Sequence, residues 1–227
     1  MKLPKVISYS LWGDDPKYRV GMQRNLELAP LHYPGWQSWI YYAGQAPEIP
    51  RGVSKTSVRL IDAEKLWADV PPSLWRFCVD PAAAELFISR DADSRLSERE
   101  SLAVAAWLQS GKALHIMRDH PHHRRPIMAG MCGFRLSKTG SLYPLLREWQ
   151  QHTRPRLDKW TDERFLHQVV FPKWVNDSLA HDSVCRHFPN SVSFPSQRVN
   201  YRFVGEIIDE HEQPYPQWEA WVNRREL

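Results

Sequence analysis

Apolar positions along the chain switch between a two-residue and a near-four-residue period, and the switches divide it into strands and helices. Residues 5–12, KVISYSLW, form a β-rich run that stops at the turn signal Gly13-Asp14-Asp15-Pro16. From Lys17 to Ala29, the positions Val20, Met22, Leu26 and Leu28 give an imperfect helical spacing that Pro30 closes. WQSWIYYAG at 36–44 and SVRLID at 57–62 are two further strands, and two short helices are expected between Glu64 and Val79, around Pro71-Pro72. ELFISR at 85–90 is a fourth strand. SERESLAVAAWLQS at 97–110 opens with the capping box Ser97-x-x-Glu100 and closes at Gly111. KALHIMR at 112–118 and IMAGMCGFRL at 127–136 read as strands, and Leu142 to Gln151 and Glu163 to Val170 as helices. Alternation of helices with largely apolar strands predicts an α/β fold: a central, mostly parallel sheet flanked by helices, plus an irregular C-terminal part. In such sheets ligands bind at the carboxyl ends of the strands. No repeat, low-complexity linker or like-charge block marks a boundary, so one domain over 1–227 is expected.

Composition narrows the class. Hydrophobic residues at 42% and charged residues at 25% match a globular chain rather than a disordered one. Proline is high, with 18 copies, and glycine low, with 10, which predicts short connections held by rigid turns. A net charge of +4 with ten histidines suits an anionic ligand, either a nucleotide phosphate or a nucleic acid. Cys78, Cys132 and Cys185 are far apart and lack CxxC spacing, so free thiols in a reducing compartment are expected. No run approaches the roughly 18 apolar residues of a membrane span, and a cytoplasmic protein is the expectation.

The chemistry concentrates in Arg90-Asp91-Ala92-Asp93-Ser94-Arg95, where the apolar strand ends. Two carboxylates on one turn can reach one small region, and oxygen ligands of this kind suit hard cations such as Mg²⁺ or Mn²⁺. Such a metal, with Arg90 and Arg95 beside it, would neutralise a diphosphate. The ordinary alternative is a solvated turn in which Asp93 or Ser94 helps start the helix.

FISRDADSRLSERE, HIMRDHPHHRRPIMAGMCGFR and FVGEIIDE resemble a group of bacterial and viral glycosyltransferase-like proteins of the GT-A type. The resemblance covers most of the chain from VISYSLWG onward, with RDADSR and RDHPxH its most specific blocks. It implies a Rossmann-like nucleotide-binding half over about 1–95 and an acceptor-side half over about 96–227. It also implies a UDP- or GDP-linked sugar donor, a glycan or other hydroxyl acceptor, and Mn²⁺ or Mg²⁺ as cofactor. Carried over by residue, Asp93 is the main metal ligand, and Asp91 meets the ribose or a metal-bound water. Ser8 and Tyr9 lie against the nucleotide, and Arg76 in WRF matches a basic position near it. Trp160 to Leu166 resembles a stretch bearing an acceptor-side carboxylate, here Asp162, with Glu163-Arg164 where Asp-Gln is common. His181-Asp182-Ser183 resembles a late histidine that completes the metal site.

The basic cluster from His115 to Arg125 reads either as an acceptor or phosphate site, with Arg118 and His120 binding, or as a surface loop. Its HxHH spacing lacks the paired arrangement of a zinc site. Asp119 or Asp162 would accept the acceptor hydroxyl's proton if configuration inverts. Arg76 can equally snorkel from a helix, and His181 can be a satisfied core histidine. Most of the 11 tryptophans belong to the core, with one or two free to stack on a sugar or a base. Two further classes compete. A metal-dependent phosphodiesterase or nuclease would use Asp91, Asp93 and Asp119 but lacks a third secure acid or a catalytic lysine. A nucleic-acid- or glycan-binding module fits the basic charge and the tryptophans. Dispersed charge disfavours nucleic acid.

Overall fold

The computed structural model describes residues 2–153, 158–183 and 191–223. Eight strands form one sheet: β1 (Lys5–Leu11), β2 (Gln37–Tyr42), β3 (Val58–Asp62), β4 (Leu86–Arg90), β5 (Leu114–Arg118), β6 (Met131–Arg135), β7 (Ser178–Asp182) and β8 (Ser191–Val192). Their order is β3-β2-β1-β4-β6-β5-β7-β8. All pairings are parallel except those of β6, which runs antiparallel to both β4 and β5. The fold class expected from the sequence is therefore present.

Alternate side chains of each strand enter cores on the two faces of the sheet. Ile7 and Tyr9 pack with Met22 and Leu26 of helix α1 (Pro16–His32) and with Val104 and Trp107 of α3 (Glu98–Ser110), while the short helix α2 (Ala63–Leu66) puts Ala63 into the core on the other face. Val6, Phe87 and Leu114 face the other way, onto the 3₁₀ helix Pro72–Phe77 and onto later helices. Those are α4 (Leu136–Thr139), α5 (Tyr143–Thr153), α6 (Thr161–Phe165) and α7 (Phe171–Trp174), with α8 (Pro216–Asn223) near the C-terminus.

Local signals explain the ends. Asp15 caps α1 by accepting from the Lys17 amide at 3.1 Å, with Pro16 in the first turn. Ser97 caps α3 by accepting from the Glu100 amide, and Gly111 ends it at φ 66°. The capping box is only half made, because the Glu100 side chain turns inward to Arg90 and Tyr33.

A helix that joins two strands of one sheet commonly sets them side by side, yet β5 is not the neighbour of β4: β6 inserts between them, so the crossover through α3 skips one place. One expectation changes. The C-terminal part is not wholly irregular, since 178–182 forms β7 beside β5. Cys78 and Cys132 are buried free thiols, and Cys185 lies outside the described residues. No helix among the described residues is long and apolar enough to cross a membrane.

Candidate functional site

The turn after β4 is built into the sheet's carboxyl end. Asn25 of α1 holds it from one side, donating to Ser94 O at 2.7 Å and accepting from the Leu96 amide at 2.9 Å. Gly21 of α1 lets the helix close on it, because a methyl there would collide with Ala92 O. Gly130 does the same for Asp91, whose carboxylate occupies the space a side chain would need. From the C-terminal segment, the Ile208 amide donates to Asp93 O at 2.8 Å. The turn is thus fixed from three directions, with its carboxylates left at a cleft of about 830 Å³.

Arg76 contributes a nearly buried charge to the lining of that cleft. Ser8 Oγ donates to Arg76 O at 2.7 Å and the Arg76 amide donates to Ser10 Oγ at 3.0 Å, so two serines on one face of β1 fix its backbone. Its guanidinium reaches Asp91 Oδ1 on one side and Asp162 Oδ2, at 2.7 Å, on the other. One cation serves two carboxylates. Burial and the Asp91 charge raise Asp93 to about 7, only partly opposed by Lys17 and Arg76. Asp93 makes no ion pair among the described residues, and it stands beside a second carboxylate. Burial likewise raises Asp162 above the ordinary range, against the pull of Arg76.

These residues fit a hard divalent cation. Asp91 and Asp93 supply carboxylate oxygens from one turn, and ions of the Mg²⁺ type take one or two carboxylates with substrate phosphates and water completing the shell. Among the described residues no cluster of three His, Cys, Asp or Glu is assembled, which leaves the donor set at the two aspartates.

Several residues expected at the site are elsewhere. His181 is not brought to the aspartates: its Nδ1 meets His115 Nε2 at 2.9 Å, and its ring packs on Phe194. Tyr9 is wholly buried under α1, and its hydroxyl finds no partner among the described residues. Ser8 is also buried, and it acts through the Arg76 backbone. Arg90 folds back beneath α3 to Glu100 at 3.1 Å and to Ser89 O at 2.8 Å. Arg95 binds Glu212 at 2.7 Å, anchoring the C-terminal segment outside the cleft lining. Arg118 is buried against Asp182 and Pro126 O, each at 2.7 Å. Asp119 has no exposed surface and accepts from Arg99, Arg198, Ser183 and the Val204 amide. A carboxylate so fully engaged has no lone pair to offer an acceptor hydroxyl.

Asp91, Asp93, Arg76, Asp162 and His120 do meet at the cleft. His120 Nδ1 accepts from the His122 amide at 3.1 Å, so its Nε2 carries the hydrogen donated to Trp218 O at 3.1 Å. His122, from the basic cluster, lines the cleft as well, and Ser10, Trp12, Tyr18, Phe203 and Trp218 do so without having been assigned to it from sequence. For Phe203 a signal existed: it opens the stretch FVGEIIDE that carries part of the resemblance. For Ser10 and Trp12 the signal was their place at the end of the first strand.

No protein-family model matches this chain, and comparison with curated proteins gives no significant match. Solved structures are similar in fold. The galactosyltransferase LgtC in complex with donor and acceptor sugar analogs aligns with a TM-score of 0.53 at 13% identity, over 97% of this chain and 95% of that one. An active-site mutant of LgtC aligns at 0.51 and 11% identity over the same shares. A glycosyltransferase involved in glycosylation of the PBCV-1 major capsid aligns at 0.47 and 13% identity, over 79% of this chain and 81% of that one. At these identities the first two likenesses establish the fold, which is the GT-A-like arrangement expected from the sequence.

Proposed function

We propose that this protein is a glycosyltransferase that moves a sugar from a UDP- or GDP-linked donor to a hydroxyl of a glycan or other acceptor, with Mn²⁺ or Mg²⁺ held by Asp91 and Asp93. The observation that carries the reading is the Asp91–Asp93 turn. It stands at the carboxyl end of a central strand, faces the cleft, and brings two carboxylates together, the second without an ion pair among the described residues. When bound, the divalent ion supplies positive charge to the diphosphate as it leaves. Arg76 adds a guanidinium to the same region, pinned at its backbone so that its charge is pre-aimed. Asp162 is the carboxylate for the acceptor hydroxyl, since it lines the cleft and burial makes it more basic than a free aspartate. His120, neutral and donating through Nε2, bounds the acceptor side.

Thermal melting with UDP or GDP, with and without Mn²⁺, tests this. A melting temperature that rises only when nucleotide and metal are both present is the expected result. Equal protection with and without the metal removes the metal role. No protection by either nucleotide overturns the reading.

A further inference from the structure

Two tryptophans keep large exposed faces on the cleft, Trp12 at 42% and Trp160 at 43%. Their surroundings differ in charge. Trp12 shares the cleft lining with its near neighbours Asp14 and Asp15, while Trp160 lies among cations. Lys159 Nζ sits 4.8 Å from the centroid of the Trp160 ring and the Arg125 guanidinium 5.7 Å from it.

The acids around Trp160 are already engaged. Asp158 accepts from Arg164 at 2.8 Å and from the Trp160 amide at 2.8 Å. Asp162 holds Arg76 and the Glu163 amide. Glu163 lies 3.3 Å from Arg125, and burial with the Asp162 charge raises it to about 7. Lys159, by contrast, forms no ion pair among the described residues, and it lines the cleft. Both cations lie over the indole ring, yet Trp160 remains 43% exposed, and that exposed part presents a negative π surface to the C–H bonds of a pyranose. The Lys159 ammonium, over the ring and without a carboxylate partner among the described residues, adds a preference for negative charge on that pyranose.

We propose that Trp160 and Lys159, with Arg125 behind them, form an acceptor subsite for an acidic sugar. The sugar ring lies on the indole, and its carboxylate or phosphate pairs with Lys159. This deepens the glycosyl-transfer reading and rests on it only for the name acceptor. The pair is partly solvated, so the preference over the uncharged sugar is modest, about fivefold at low salt, the equivalent of about 1 kcal/mol.

The test presents the full chain, with Mn²⁺ and UDP or GDP, to immobilised glycans in matched pairs. One pair ends in glucose or glucuronic acid, the other in mannose or mannose 6-phosphate. The acidic member is expected to be retained about fivefold more strongly in one of the pairs, with the preference shrinking as salt is raised. Preference within the first pair assigns a uronic acid and within the second a phosphosugar. Lys159→Gln is expected to abolish the preference, and Trp160→Ala to weaken retention of both members. Equal retention within both pairs, or no retention of any glycan, overturns the subsite. Nucleotide protection measured on the same preparation separates the two readings: its presence without an acidic preference sinks only the subsite, and its absence sinks the transfer reading.

Discussion

Strands β4 and β5 both end in Arg-Asp, and the two aspartates have opposite surroundings. Their arginines behave alike: Arg90 turns back to Glu100 and Arg118 to Asp182, each buried with a carboxylate partner. Asp91 then emerges at the cleft with a side chain 44% exposed and shares its one arginine with Asp162. Asp119 goes under the C-terminal segment, where two arginines, a serine and a backbone amide surround it. A buried carboxylate with every lone pair taken holds structure together, whereas carboxylates that outnumber their cations are ready for a ligand that brings positive charge. The end of β4 is open and electrostatically incomplete. The end of β5 is closed and complete.

The largest expected effect falls on the closed end. Asp119→Ala removes one side of a buried network and leaves Arg99 and Arg198 without their shared acceptor, a loss of about 3–5 kcal/mol. That corresponds to a fall in melting temperature of at least about 6 °C for a chain of this size. Loss of transfer in this variant is expected to follow loss of the fold. An unchanged melting temperature with transfer reduced would reverse the comparison and return Asp119 to the chemistry.

The open end should respond in the other direction. Asp93→Asn keeps the side chain's shape and removes a charge that burial and Asp91 disfavour, so the ligand-free melting temperature holds or rises. Its affinity for UDP or GDP in the presence of Mn²⁺ is expected to fall at least tenfold, about 1.4 kcal/mol by calorimetry. Undiminished affinity would show that the two strand ends do not differ in function.

Much of this was legible in residue order. The apolar run LFIS, the Ser97 cap and the Gly111 stop define β4 and α3 almost to the residue, since each rests on local preference. The direction of β6 was not legible, because MCGFR carries the same apolar pattern whichever way it runs. β7 was missed for a related reason. Two of its five residues, His181 and Asp182, are polar yet buried, satisfied by His115 and Arg118 on the neighbouring strand. Such pairing erases the hydrophobic period, and His181 is the satisfied core histidine rather than the ligand that the resemblance implied. The same holds for the twin Arg-Asp ends: the donors that close around Asp119 arrive from residues 99, 183, 198 and 204, at separations no local pattern reports.

The smallest effect concerns Glu163, which lies between the two behaviours. It is buried like Asp119, yet its only ion-pair partner among the described residues is Arg125, whose side chain is more than half exposed. For Asp119, burial acts to raise the carboxyl, but the hydrogen bonds and charge of Arg99, with Arg198 and Ser183, overcome it and hold it below its ordinary value. Its contribution to stability is therefore present above the unfolded value of about 4 and lost as pH falls. For Glu163, burial and the Asp162 charge outweigh Arg125, and the carboxyl rises to about 7. Its contribution is whole below the unfolded value of about 4.3 and is lost as pH rises through 7. Glu163→Gln keeps the neutral form at every pH, so its gain on the wild type should grow from about pH 4.3 and be complete once the pH passes 7. With the partly solvated Arg125 screening part of the charge, the gain is about 1 kcal/mol, or roughly 2–4 °C in melting temperature at pH 8.5. At pH 4, below the unfolded value, the two proteins should melt together. A gain of the same size at both pH values would mean that packing, not charge, sets this position, and Glu163 would then belong with the closed end of the sheet.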